Sequence, residues 1–291
     1  MSNIGLIIEE RSRDIGDFLV GRLIPFRKKR MVGPFIFIDH MGPSTIKPGH
    51  YIDIGQHPHI GLSTLTYLFE GEIIHRDTLG TKQRVTPGAV GWMTAGRGIV
   101  HTERTPPDQR DGGEYPVHGY QIWVALPKPL EDMEPEFFYT PKDDLPKWSL
   151  DGMDFTLVAG KGYGKESPVP VYSDLFMVEV KSPVRNHFEI QGNLFGEIGV
   201  CIVDGYIEAC GERVEKGRML VSKEEDVCNL VIGENSHLLL FGGKPFDEER
   251  FIYWNFVSSE KEKLEAAKMR WANRQFEMVP EETGYVPLPG N

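Results

Sequence analysis

From residue 62 onward the chain alternates apolar and polar positions in short bursts: 62-LSTLTYLF-69, 73-IIHRDT-78, 89-AVGWMT-94, 99-IVHTER-104 and 118-HGYQIWVAL-126. A period of two puts one set of side chains on each face of an extended strand. Between the bursts stand turn residues: EGE, 80-GTKQ-83, Pro87-Gly88 and 95-AGRG-98, then the polar loop 105-TPPDQRDGGEYP-116. Short strands punctuated this often predict an antiparallel sandwich or barrel. With no long amphipathic helix among them, a doubly wound α/β fold is disfavoured.

The proline-rich, acidic stretch 127-PKPLEDMEPEFFYTPKDDLP-146 reads as a junction. The same grammar then resumes in 154-DFTLVAG-160, 175-LFMVEVKS-182, 199-GVCIVDG-205, 206-YIEAC-210, 219-MLV-221, 228-CNLVIG-233 and 237-HLLLFGG-243. Helical periodicity is clear only near the end. There Ser258 or Ser259 is expected to cap a helix over 260–276, with Leu264, Ala267, Met269 and Trp271 on its apolar side.

A chain of 291 residues is long for one core; two domains of roughly 100–150 residues are expected. The boundaries predicted are 1–135 and 136–291. The net charge of −11 argues against direct nucleic-acid binding, which needs basic surface to neutralise phosphates. The basic run 27-RKKR-30 reads as a solvated turn. Cys201, Cys210 and Cys228 show no C-x-x-C spacing and are expected as buried free thiols. No segment approaches the roughly 18 apolar residues of a membrane span, and no signal peptide is evident, so a cytoplasmic location without membrane attachment is expected.

The chemistry begins at 55-GQHPHIGLSTLTYLFEGE-72. Pro58 disfavours helix for His57, so His57 and His59 lie two apart on an extended segment and face the same way. His101 and Glu103 repeat that arrangement in 98-GIVHTERT-105. Three imidazoles and one carboxylate suit Fe(II), Mn(II), Ni(II), Co(II) or Cu(II) with open positions; without thiolates a closed structural zinc site is the weaker reading.

These residues carry a family resemblance. HPHIGLSTLTYLFEGEIIHRDTLG, PGAVGWMTAGRGIVHTE and HGYQIWVALP resemble the pirin family of the cupin superfamily, as do 33-GPFIFIDHMGP-43 upstream and 254-WNFVSS-259 downstream. The resemblance covers most of the chain and implies an all-β bicupin: two jelly-roll β-barrels packed face to face, with a short C-terminal helix. It also implies one non-haem metal in the N-terminal barrel, Fe(II) foremost with Mn, Ni, Co, Cu or Zn as substitutes, on His57, His59, His101 and Glu103. A general cupin has H-x-H-x(3,4)-E, and many pirins have HPHRGFE. Here Ile60, Leu62 and Ser63 stand at the corresponding places, so the pocket beside the site is expected to differ.

Two functions follow from the resemblance. One is a quercetin 2,3-dioxygenase, opening a flavonol with O₂ and releasing CO, with Glu103 as general base. The other is a binding module whose iron oxidation state sets its affinity for a transcription regulator or metabolic enzyme. Other polar residues carry lesser expectations. His75-Arg76-Asp77 alternates faces, with a supporting or surface role. Asp39 and His40 are placed at the pocket mouth or in a turn, and His118 and Gln121 in the cavity wall. Gly96 and Gly98 read as tight turns. His187 and His237 read as solitary, surface or satisfied histidines, and the C-terminal barrel as metal-free.

Overall fold

The computed structural model describes residues 4–15, 18–110, 113–222 and 230–290. Alternation forms the strands as expected: along Ile73–Asp77 every second side chain is buried. Leu62–Glu70 is buried on both faces until its last two residues, because both its neighbours and both its faces are covered. The named strands pair antiparallel.

The chain divides into two compact units. One comprises Met1–Ser12, Gly21–Ile38 and Asp143–Phe246. Its long sheet runs in the order Ile4–Glu9, Arg218–Ser222, Glu197–Asp204, Ser236–Gly243, Leu175–Ser182, Met153–Gly162, Lys147–Leu150. A four-stranded sheet built on Leu230–Ile232 and Tyr206–Ala209 shares its core, where Phe176, Val178, Leu240, Ile207 and Val214 are buried together. The other unit comprises Arg13–Val20, Asp39–Lys142 and Asp247–Asn291. It sets Glu136–Thr140, Val90–Thr94, Leu62–Glu70 and Tyr115–Ala125 side by side, and a second sheet in the order Asp53–His59, Ile99–Arg104, Ile73–Asp77, Lys82–Val85. The sheets are open rather than closed into rings, so each unit is a two-sheet jelly roll.

The helix spans Lys261–Ala272, shorter than predicted. Leu264, Ala267 and Trp271 are buried as expected, against Ile60, Val100 and Phe256. Met269 is not: it is 61% exposed, because the apolar stripe is narrow and its step along the helix falls outside it. The helix starts after Glu260 without a side-chain cap. Ser258 instead accepts from the Glu260 N–H and donates to the buried Glu131 carboxylate.

Two other readings change. Cys201 is a buried free thiol, but Cys210 is disulfide-bonded, since bridging depends on distance in the fold and not on spacing in the chain. Cys228 lies outside the described residues. The run 27-RKKR-30 forms a turn as expected, with Lys29 pairing to Glu197. Gly96 turns with φ +50, where a Cβ would lie 2.0 Å from the Met133 carbonyl oxygen, so only glycine fits. Among the described residues no helix is long and apolar enough to cross a membrane.

Candidate metal centre

The strands Asp53–His59 and Ile99–Arg104 lie side by side, with His101 opposite His57 and Ile99 opposite His59. The register slips after His101, so Glu103 faces Ile54, and Gly55 and Gln56 together oppose Thr102. This bulge turns the Gly55 carbonyl toward the His57 ring. On its other edge Ile99–Arg104 pairs with Ile73–Asp77, placing Glu103 opposite His75 and His101 opposite Asp77.

Cross-strand pairing gathers three imidazoles. One nitrogen from each of His57, His59 and His101 lies within 4.8 Å of the others. The ring centroids of His57 and His101 are 4.2 Å apart. All three are buried, as is Glu103. His57 Nδ1 lies 2.8 Å from the Gly55 carbonyl oxygen and His59 Nδ1 lies 3.2 Å from that of Asn255. A carbonyl only accepts, so both Nδ1 atoms carry hydrogen and each Nε2 keeps a lone pair. His101 Nε2 is buried without a hydrogen-bond partner. Such an atom has a cost unless something fills the space before it.

Electrostatics agree. Burial lowers the His57 pKa to about 4, against a partly compensating hydrogen bond to Gly55. Burial, with the neighbouring imidazoles, holds His59 and His101 well below the ordinary histidine range. These rings are neutral at physiological pH, the form that binds metals. The donor set fits a first-row divalent cation.

Glu103 stands apart from that group. Its carboxylate is not among the atoms within 4.8 Å, and it meets Thr66 Oγ1 at 3.5 Å. Thr66 donates to Gln121 Oε1 at 2.9 Å, so Gln121 reaches the site as expected. Burial pushes the Glu103 pKa up to about 7, with Thr66 opposing. Trp123 closes on His59 edge-on, with centroids 5.1 Å apart. Phe137 stacks on His75 at 4.3 Å.

Sequence reasoning missed what the C-terminal segment does. Asn255 supplies the carbonyl for His59, and Gln56, next to His57, ties down the tail. Its amide donates to the carbonyls of Glu282 and Gly284 and accepts from Val279, while its own carbonyl accepts from Val286. The one signal was 254-WNFVSS-259, a match with no mechanism attached. His75 and Asp77 take the supporting one of their two expected roles: both face inward, 3.0 Å apart, and His75 Nδ1 lies 3.3 Å from His101 Nδ1. Arg76 points the other way, to Glu281 and Glu282.

Other expected residues lie elsewhere. His40 meets His118 at 3.0 Å and stacks on Tyr120. His118 and Tyr120 alternate with Gln121, so that cluster occupies the opposite face of its sheet from the Gln121–Thr66 pair. His118 is therefore not a cavity residue, and Asp39 and His40 lie buried within a strand rather than in a turn. Ser63 bonds Thr94 on the face away from Thr66, and Ile60 packs beneath the helix, so Leu62 alone of the three replaced positions shares the face of Thr66. His237 is satisfied by Glu179 at 2.8 Å, and His187 is exposed.

Comparison with known proteins accords with this geometry. Residues 18–124 match the Pirin family and residues 177–277 match the Pirin C-terminal cupin domain. A pirin-like protein from Caulobacter vibrioides is 40% identical over 98% of this chain and 99% of its own. A crystal structure of quercetin 2,3-dioxygenase from Acinetobacter baumannii superposes with a TM-score of 0.90 at 35% identity, covering 98% of this chain and 95% of that one. A bacterial pirin from Escherichia coli, solved in complex with nickel(II), shares the fold at a TM-score of 0.64 and 19% identity, over 83% of this chain and 99% of its own.

Proposed function

The chain belongs to the pirin family, and from that premise we propose that it is a metal-dependent dioxygenase that opens a flavonol such as quercetin with O₂ and releases CO. The observation that carries this reading is the buried imidazole cluster with its orphaned His101 Nε2. His57, His59 and His101 would hold the metal through Nε2, with Glu103 as the fourth donor. Iron(II) is the ion proposed. Bound there, it would supply Lewis acidity to the flavonol 3-oxygen and a redox centre for the reaction with O₂.

The protein's own groups divide the remaining work. Glu103, its pKa raised to about 7 by burial, is the proposed acceptor of the flavonol 3-hydroxyl proton. Thr66, held by Gln121, stands 3.5 Å from that carboxylate and limits how far it swings. Trp123 and Phe137 give apolar surface suited to a planar aromatic ligand and exclude bulk water.

The test is oxygen uptake and CO release by iron-loaded protein over a flavonol panel, with a flavone lacking the 3-hydroxyl as control. Turnover of flavonols but not of the flavone is expected. An iron-replete protein that consumes no oxygen with any flavonol sinks the enzyme reading. The alternative, a regulatory protein binding a transcription regulator or metabolic enzyme according to iron oxidation state, would then be tested by partner affinity of the Fe(II) and Fe(III) forms.

A further inference from the structure

We propose that His75 and Asp77 are positioning residues that fix the tautomer of His101, turning its Nε2 lone pair into the metal centre. The inference rests on the metal-site reading above. Its starting point is a difference among the three imidazoles. His57 and His59 are each oriented by a backbone carbonyl, which can only accept a hydrogen. His101 Nδ1 instead faces His75 Nδ1 at 3.3 Å. An imidazole nitrogen can donate or accept, so that contact alone leaves the His101 proton undecided.

Asp77 decides it. The carboxylate is fully buried and its Oδ1 accepts from the backbone N–H groups of Leu79 at 2.9 Å and Thr81 at 3.1 Å. Its Oδ2 lies 3.0 Å from His75 Nε2. Burial alone would push the Asp77 carboxyl up; the bonds from His75 and Thr81 outweigh that and hold it below its ordinary range. An ionised carboxylate only accepts, so His75 Nε2 carries hydrogen. With its single ring proton on Nε2, His75 keeps its lone pair on Nδ1, and the hydrogen in the 3.3 Å contact belongs to His101 Nδ1. That leaves the lone pair on His101 Nε2, the atom buried without a partner. Phe137, stacked at 4.3 Å and 21°, holds the His75 plane. Outer partners of this kind fix ligand orientation in metal sites.

Asp77→Asn makes the sharpest test. The two N–H groups of the turn keep the Asn carbonyl on their side, so its amide nitrogen is the group that meets His75 Nε2. As a donor it reverses the chain: His75 then donates from Nδ1, and His101 is protonated at Nε2. Two readouts follow. In ¹⁵N-labelled, metal-free protein at alkaline pH, side-chain ¹⁵N–¹H correlations should show His101 protonated at Nδ1 in the wild type and at Nε2 in Asp77→Asn. Competition with a chelator should show Ni(II) bound about 10–100-fold more weakly by that variant. His75→Gln keeps the polarity, since Oε1 accepts and Nε2 donates, and should restore near-wild-type affinity where His75→Leu does not. Wild-type His101 protonated at Nε2, or an unchanged His101 in folded Asp77→Asn, overturns the proposal. A flip in protein that takes up no metal upholds the chain and overturns the metal-site reading instead.

Discussion

Without a bound metal, stability should fall steeply on mild acidification, by an amount the buried groups set. In the unfolded chain His57, His59 and His101 titrate near the ordinary 6.5; folded, His57 is lowered to about 4 and the other two lie well below 6.5. Between about pH 6.5 and 4 the unfolded state therefore takes up histidine protons that the folded state refuses, and stability drops as pH falls. Glu103 acts oppositely. Its folded pKa of about 7 lies above the ordinary 4.5, so the folded state holds the extra proton and gains stability as pH falls through 7. Three histidines against one carboxyl leave a net two protons between 4.5 and 6.5. That slope is at most about 2.7 kcal/mol per pH unit. His57 alone accounts for up to about 3 kcal/mol over the whole range. Urea unfolding of chelator-treated protein, followed by tryptophan fluorescence at several pH values in this window, measures it. His57→Gln should flatten the slope by about one proton. A flat pH profile in the metal-free protein, or a slope unchanged by His57→Gln, would show that the folded imidazoles are not held neutral by burial.

Three further outcomes are expected. His101→Ala should fold yet lose its metal, and a folded variant retaining full metal by elemental analysis counts decisively against the site. Glu103→Gln, iron-loaded, should lose about 10²–10⁴-fold in flavonol turnover per bound iron; wild-type turnover per iron would move the base to another group. Trp271→Ala removes a fully buried side chain stacked on Tyr285 at 4.6 Å, and should cost about 3–5 kcal/mol. Unchanged urea midpoints would mean that the helix contributes little to the fold.

Alternation and turn residues made the strands legible, and spacing alone put His57 with His59 and His101 with Glu103 on common faces. Period two says nothing of register, however. Whether His75 meets His101 depends on which residues pair across Ile73–Asp77 and Ile99–Arg104, and that is set by bulges and turns. The carbonyls that orient His57 and His59 were illegible for a deeper reason: every residue has one, so Gly55 and Asn255 leave no mark of their role. Met269 and Cys210 show the same limit, since a neighbour in space decides exposure and bridging. Glu103 was legible as a same-face partner of His101, but its separation from the imidazole group was not, because side-chain reach is not written in spacing.

The carbonyl of Asn255 on His59 has a consequence in time. The histidines leave the ribosome early, but the group that aligns His59 follows 196 residues later. At ordinary synthesis rates of about 5–20 residues per second, that is a delay of about 10–40 s. Residues 143–246, the largest stretch of the other unit, are made in the interval. The fastening of Gln56 waits longer still, for Val279 to Val286. A nascent chain thus carries His59 without the carbonyl that orients it, and tight capture of the proposed metal would belong to the finished polypeptide.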